Sequence, residues 1–204
     1  MFGFIKTLII VVLLIGSQTA FAQHQTPHQV IKGLGDSLFK RLSEEQKNFS
    51  TQPELVREII EQELMPHIDY RYGAYKILGK YFKEISKQER EAFVLAMKDY
   101  FSVIYVNALS QYTNQRITFE PKLKHKKNKK VVTVKALVIE QSGPNIAVNF
   151  KLRQDKQTKQ WKAFDIVIEG ISLINSKQAE ITSRIRASDI QTVTLEIAKL
   201  ARQS

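Results

Sequence analysis

Cysteine is absent from all 204 residues. Disulfides, thiolate metal sites and cysteine nucleophiles are therefore excluded, and the fold must stand on packing alone. Histidine is scarce: His24, His28, His67 and His125 are the whole set. His24 and His28 are spaced as H-x-x-x-H, but His24 lies at the mature N-terminus and neither His67 nor His125 falls at a ligand spacing from them, so no metal centre is expected. The chain has no G-x-S-x-G, no P-loop and no G-x-G-x-x-G, the marks of a hydrolase elbow, a phosphate cradle and a dinucleotide fold. It also lacks internal repeats, low-complexity tracts and linkers. Unbroken apolar runs are few and short. The most prominent, Leu8–Ile15, has eight residues, against the ~20 needed to cross a bilayer.

That run has a different meaning. Lys6 precedes it, and Ala20-Phe21-Ala22 follows as a small-x-small cleavage site. Charge, apolar core and small residues in this order form a secretory signal. The expectation is a signal peptide over 1–22, cut after Ala22, and one mature domain over 23–204 working in the periplasm. An uncleaved anchor is the weaker alternative. With no cysteine after the run, no lipoprotein anchor is expected. No later segment reads as a membrane span, so the mature chain is expected to be soluble. Its length suffices for one sizeable core.

Charge of either sign is balanced over most of the chain and one-sided in a single stretch. Residues 23–120 carry 13 basic and 13 acidic side chains, and residues 163–204 carry five of each. Between Pro121 and Lys162 there are 12 basic against two acidic residues. A one-sided basic surface implies an anionic partner. An exported chain makes nucleic acid a poor candidate, leaving anionic lipid headgroups or an acidic protein face. The plainer alternative is a solvated lysine turn guarding a sheet edge.

The first half of the chain has helical spacing. Val30, Ile31, Leu34, Leu38 and Leu42 lie on one side of a helix that begins at Pro27. Thr51 is placed to cap a second helix, with Pro53 and Glu54 in its first turn and Pro66 at its end. Asp69 caps a short third helix that stops at Gly79. Ser86-Lys87-Gln88-Glu89 is a capping box opening the longest helix, which runs to about Tyr112. That helix is apolar on most sides, which predicts burial on most sides. After Asn114 the period falls to two. Four strands, ending near Leu123, Glu140, Arg153 and Ile168, and joined by short turns, form an antiparallel meander with one apolar face and one polar, basic face. Leu173–Ile185 and a last helix capped by Ser188 return to helix. The fold class expected is α+β, with helices packed on the apolar face of a curved four-stranded antiparallel sheet.

The one carboxylate pair of interest is Asp165 and Glu169. Paired carboxylates serve as acid and base, but no His, Ser or metal set accompanies them. A salt bridge from Asp165 to the sheet and a turn ordered by Glu169 explain the pair more simply. No catalytic residue is assigned. The stripe Phe93, Met97, Phe101, Ile104 and Leu109 can face Val132, Val134, Ile146, Val148, Phe150, Ile166 and Ile168 across an apolar cavity. Leu78, Phe82, Tyr105, Ala136, Ile171 and Leu173 complete that set. The same residues would equally build an ordinary closed core.

Three segments carry a resemblance: Asp69–Phe82 (DYRYGAYKILGKYF), Phe93–Tyr112 (FVLAMKDYFSVIYVNALSQY) and Trp161–Ile174 (WKAFDIVIEGISLI). An Asp then Leu-Gly before an aromatic, a Phe/Tyr-rich long helix, and Trp-x-x-x-Asp followed by Glu-Gly-Ile-Ser-Leu resemble the MlaC family, also called the toluene-tolerance auxiliary family. The likeness spans nearly the whole mature chain. One departure is Asn175-Ser176-Lys177, where many members have Asn-Tyr-Arg; others have a Thr-Lys-Gln version. The resemblance implies an NTF2-like fold with lipid tails in a deep pocket between helices and sheet, and the headgroup left largely to solvent. It implies no enzymatic activity and no cofactor, with phospholipid as cargo. It further implies shuttling between an outer-membrane lipoprotein–porin complex and an inner-membrane ABC transporter, which maintains outer-membrane lipid asymmetry. Lys122, Lys124, Lys126, Lys127, Lys129 and Lys130 would then dock acidic partner surfaces or anionic headgroups. A protein-binding adaptor using the same basic hairpin over a filled core is the alternative.

Overall fold

Two separate apolar clusters, one under each half of the helical layer, organise the fold. The computed structural model describes residues 25–112, 115–121, 129–140 and 143–202. The expected signal peptide, and Lys122, Lys124, Lys126 and Lys127, lie outside the described residues.

Helix α1 (Pro27–Glu45) starts at Thr26, which forms a reciprocal capping box with Gln29. Its buried stripe runs from Val30 through Ile31, Leu34 and Leu38 to Leu42, the spacing read from the sequence. Helix α2 is only six residues (Glu54–Ile59). It continues into a π-helical turn, Ile60–Leu64, and a 3₁₀ turn, Met65–His67. Thr51 does not cap it: Pro53 occupies the N-cap without a side-chain bond. The Thr51 hydroxyl donates instead to the Asn48 carbonyl at 3.1 Å.

Asp69 caps helix α3 (Tyr70–Leu78) by accepting from the Tyr72 N–H at 3.0 Å. Gly79, at φ 54°, ends it, a backbone angle that disfavours any residue with a Cβ. Helix α4 (Lys87–Leu109) opens on the Ser86/Glu89 capping box. By length and hydropathy alone α4 would cross a bilayer, contrary to the expectation that no later segment would. Here it packs on α3 and α6 with Phe93, Val94, Met97 and Val103 buried.

The strands follow as a meander: β1 (Arg116–Phe119), β2 (Val131–Ile139), β3 (Ile146–Gln154), β4 (Trp161–Ile168) and a two-residue β5 (Ile171–Ser172), all antiparallel in that order. β5 is the addition to the four strands expected. It exists because Glu169 (φ 48°) and Gly170 (φ 82°) turn the chain tightly back, the positive-φ pair of a two-residue hairpin. On β2 every second residue is buried, Val132, Val134 and Ala136, while Val131, Thr133 and Lys135 face solvent.

Helices α5 (Leu173–Ala187) and α6 (Ile190–Arg202) close the chain. Ser188 is not the cap of α6: it ends α5, and Asp189 takes the capping role by accepting from the Thr192 N–H at 2.8 Å. A carboxylate at that position also suits the helix dipole.

The first cluster joins α1, α2 and the π turn to Val134, Leu152 and Ala163 of the sheet. The second joins α3, α4, α5 and α6 through Ile77, Leu78, Phe93, Met97, Ile181 and Ile197. Tyr70 touches both. The space between the two clusters is where the site lies.

Candidate functional site

Four elements meet at the gap between the clusters without filling it. α3 is pulled onto the sheet by backbone: the Asp69 N–H donates to the Ala163 carbonyl at 2.7 Å, and Ile68 bridges Ala163. Gly73 eases the approach, since a Cβ there would lie 3.3 Å from Ile174 Cδ1 and 3.4 Å from the Phe164 carbonyl. On β4 the pairing jumps: Lys151 opposes Asp165 and Leu152 opposes Ala163, which leaves Phe164 unpaired. This bulge re-aims the strand so that Phe164, Asp165 and Ile166 all reach one cavity.

The cavity has a volume of about 270 Å³. Ile68 and Tyr70 form one wall, Phe101, Ile104 and Tyr105 of α4 another, β4 a third, and Leu173, Ile174, Ser176, Lys177 and Glu180 of α5 the fourth. Of the eighteen side chains assigned to a pocket from sequence, Phe101, Ile104, Tyr105, Ile166 and Leu173 line it. Leu78, Phe93 and Met97 are wholly buried in the second cluster, and Phe82 packs on Tyr75 with ring centroids 4.8 Å apart. Val132, Val134 and Ala136 are buried on β2. Val134 belongs to the first cluster, and Leu109 and Phe150 pack against it. Ile146 and Val148 are half-buried, while Ile168 and Ile171 are exposed at the β4–β5 turn.

Ile68, Tyr70, Phe164, Ile174, Ser176, Lys177 and Glu180 were not on the sequence list. Phe164 shares parity with Ile166 and Ile168 and was findable on that ground. The α5 residues were not, because the apolar period of that helix is weak.

Asp165 is the hub behind the wall. Its carboxylate accepts from Lys151 Nζ at 3.0 Å, from Ser172 Oγ at 2.8 Å and from the Ile174 N–H at 3.1 Å. Ser172 in turn caps α5 by accepting from the Asn175 N–H. Glu169 accepts from the Ala147 N–H, and its own N–H donates to the Ala147 carbonyl at 3.0 Å. Both carboxylates are thus committed to holding β4, β5 and α5 together. Tyr105 differs. Burial, with the Asp165 carboxylate close by, pushes its phenol above the usual range. Its hydroxyl has no hydrogen-bond partner among the described residues, so it remains a free donor in an apolar surround, suited to a ligand acceptor.

A second, wider concavity of about 900 Å³ lies between the start of β2, the β3–β4 turn and α3. Arg71, Lys129, Lys130, Arg153, Lys156 and Lys159 line it with Tyr72, Tyr75 and Trp161, against Asp69 and Asp155. Arg153 donates to Asp69 at 2.6 Å and stacks 4.3 Å from the Tyr72 ring centre. Arg71 pairs with Glu91 at 2.7 Å. Lys129, Lys130, Lys156 and Lys159 have no ion pair among the described residues. Of the six lysines read as a docking turn, Lys129 and Lys130 are therefore placed on a broader basic cleft; the other four lie outside the described residues.

The MlaC protein family model matches residues 32–199. The chain belongs to the MlaC family. A curated relative, the intermembrane phospholipid transport system binding protein MlaC of Haemophilus influenzae, is 26% identical over 188 residues, covering 92% of this chain and 87% of the relative. A toluene tolerance protein of Pseudomonas putida is 25% identical over 150 residues, covering 73% and 68%. Among solved structures, the phospholipid-binding protein of Ralstonia solanacearum, solved in complex with a phospholipid, superposes with a TM-score of 0.76 at 16% identity, covering 88% of this chain and 98% of that one. The α+β architecture is thus shared with that protein at low identity. The Trp161-x-x-x-Asp165 and Glu169-Gly170-Ile171-Ser172-Leu173 motif that carried the resemblance now has a structural reason: it builds the bulge, the tight turn and the α5 cap that form one side of the cavity.

Proposed function

We propose that this chain is a non-enzymatic phospholipid carrier of the periplasm. The single observation behind the proposal is the apolar cavity between α4, β4 and α5, in a member of a family whose relatives include a phospholipid transport binding protein. Each methylene taken from water contributes about 0.8 kcal/mol, so acyl tails bind a greasy hollow without many polar contacts. The carrier exchanges lipid between an outer-membrane lipoprotein–porin complex and an inner-membrane ABC transporter complex. Protein purified from its own periplasm and extracted with organic solvent should release roughly one phospholipid per chain by mass spectrometry, as a site of this kind is few per protein. Protein from a normally expressing cell that yields none would overturn the reading.

The basic cleft supplies the docking face. Unpaired lysines beside aromatic side chains suit acidic partner surfaces, and such attraction acts mainly on association and weakens with salt. The triple variant Lys129→Glu, Lys130→Glu, Lys156→Glu should deliver lipid to membrane-embedded partners at least about tenfold more slowly at low salt, with the difference shrinking at high salt and the amount of bound lipid unchanged. Equal delivery rates at every salt concentration would refute a docking role. A stable low-salt complex with a partner by a chain that never carries lipid would favour the adaptor reading instead.

A further inference from the structure

Lys177 lies in the α5 wall of the cavity and is the one cation among its lining residues. Its ammonium donates to Tyr100 Oη at 2.8 Å and to Glu180 Oε2 at 2.5 Å, and sits 4.8 Å from the Tyr100 ring centre. Burial pulls its pKa down, but the bonds to Glu180 and Tyr100 outweigh burial and hold it above the usual lysine value. It therefore stays charged at neutral pH. An ammonium carries three N–H donors. Two are used, and the third has no protein partner among the described residues.

Glu180 has a second partner besides Lys177. Its other oxygen accepts from Arg184 Nη1 at 3.3 Å, and its side chain is 45% exposed. An anion arriving in the cavity can take the lysine while Glu180 keeps Arg184 and water, so no buried charge is left unpaired. Tyr100, on α4, can keep its bond to the ammonium throughout. Among common amphiphile groups the phosphodiester is the fixed anion that sits directly above two acyl chains, and a lysine meets it as a point charge.

We propose that Lys177 binds the phosphodiester of a phospholipid whose tails occupy the cavity, exchanging Glu180 for the lipid phosphate. This rests on the carrier reading above. It makes Lys177 the residue that separates phospholipid from neutral diacylglycerol.

The test uses delipidated full-length mature protein with two probes of identical tails, dioleoyl-phosphatidylglycerol and dioleoylglycerol. Wild type should prefer the phospholipid by about tenfold, the lower end for a hydrogen bond to a charged group. Lys177→Met, of similar length but uncharged, should bring the ratio close to one by weakening phospholipid binding far more than diacylglycerol binding. Lys177→Arg should keep it, and Glu180→Gln should raise it. Excess inorganic phosphate should leave the ratio intact, because the free ion brings no tails to hold it there. Lys177→Met retaining the preference, losing both lipids equally, or a preference erased by inorganic phosphate would each overturn the assignment. Wild type binding both probes without preference would overturn this inference alone, whereas wild type binding neither would remove the carrier reading itself.

Discussion

Replacing Ile104 by Trp is expected to empty the protein of lipid while leaving it folded. Ile104 lies on α4 in the wall of the cavity and is only half-buried. The cavity, at about 270 Å³, is already below the roughly 300–1,000 Å³ typical for a drug-sized ligand. A diacyl lipid is larger still, so the loaded form must be wider than this one. An indole at position 104 occupies the space the tails would need. Denying a tail three or four methylenes costs about 3 kcal/mol, more than a hundredfold in affinity. Filling a void with apolar surface also tends to stabilise by about 0.5–2 kcal/mol. The expected readout is thus opposite in sign for the two properties: co-purified phospholipid falls to a few per cent of wild type, and the melting temperature holds or rises. Leu195→Trp, at a side chain 67% exposed on α6, should change neither. Wild-type lipid content in Ile104→Trp would show that the tails do not lie here.

How much of this was legible beforehand depends on the element. α1, α3 and α4 were readable because caps and apolar period agreed: Asp69 and Ser86 bond as their spacing predicts. Thr51 and Ser188 do not act as caps because the helices begin one or two residues later, after Pro53, which makes no capping bond, and after Asp189, which does. The meander was readable from its period of two. The cavity was legible only in outline, since one list of apolar residues had to supply both the closed clusters and the hollow. Periodicity says which face is turned inward, not whether it meets a partner. What separates the two classes is residual exposure: Phe93 and Met97 on α4 are wholly buried, whereas Phe101, Ile104 and Tyr105, further along the same helix, are not. The polar side of the wall depended on a β4 bulge and on the pose of α5, whose first turn Asp165 ties to β4.

That dependence makes Asp165 the second site of large effect, and of a kind that separates a structural carboxylate from a catalytic one. Asp165→Ala removes the acceptor for three donors at once. Lys151, whose side chain is 35% exposed, can turn to water. The Ser172 hydroxyl and the Ile174 N–H, both in buried residues, cannot do so easily, and α5 loses the bond that ties its first turn to β4. Removing one partner of a buried, hydrogen-bonded ion pair costs about 3–5 kcal/mol, and the lower end applies because Lys151 is partly solvated. For a domain of this size about 3 kcal/mol lowers the melting temperature by roughly 10 °C. A Lys151→Met companion should recover part of the loss, with a coupling of about 1 kcal/mol or more in the double-mutant cycle, since it removes the cation left behind. Lipid content should fall together with stability, because Ile174 and Lys177 are carried on the helix that Asp165 anchors. A catalytic carboxylate would behave in the reverse way, with turnover lost and the melting temperature unmoved. An Asp165→Ala protein as stable as wild type would therefore dismantle the structural account of the Trp161-x-x-x-Asp165 motif.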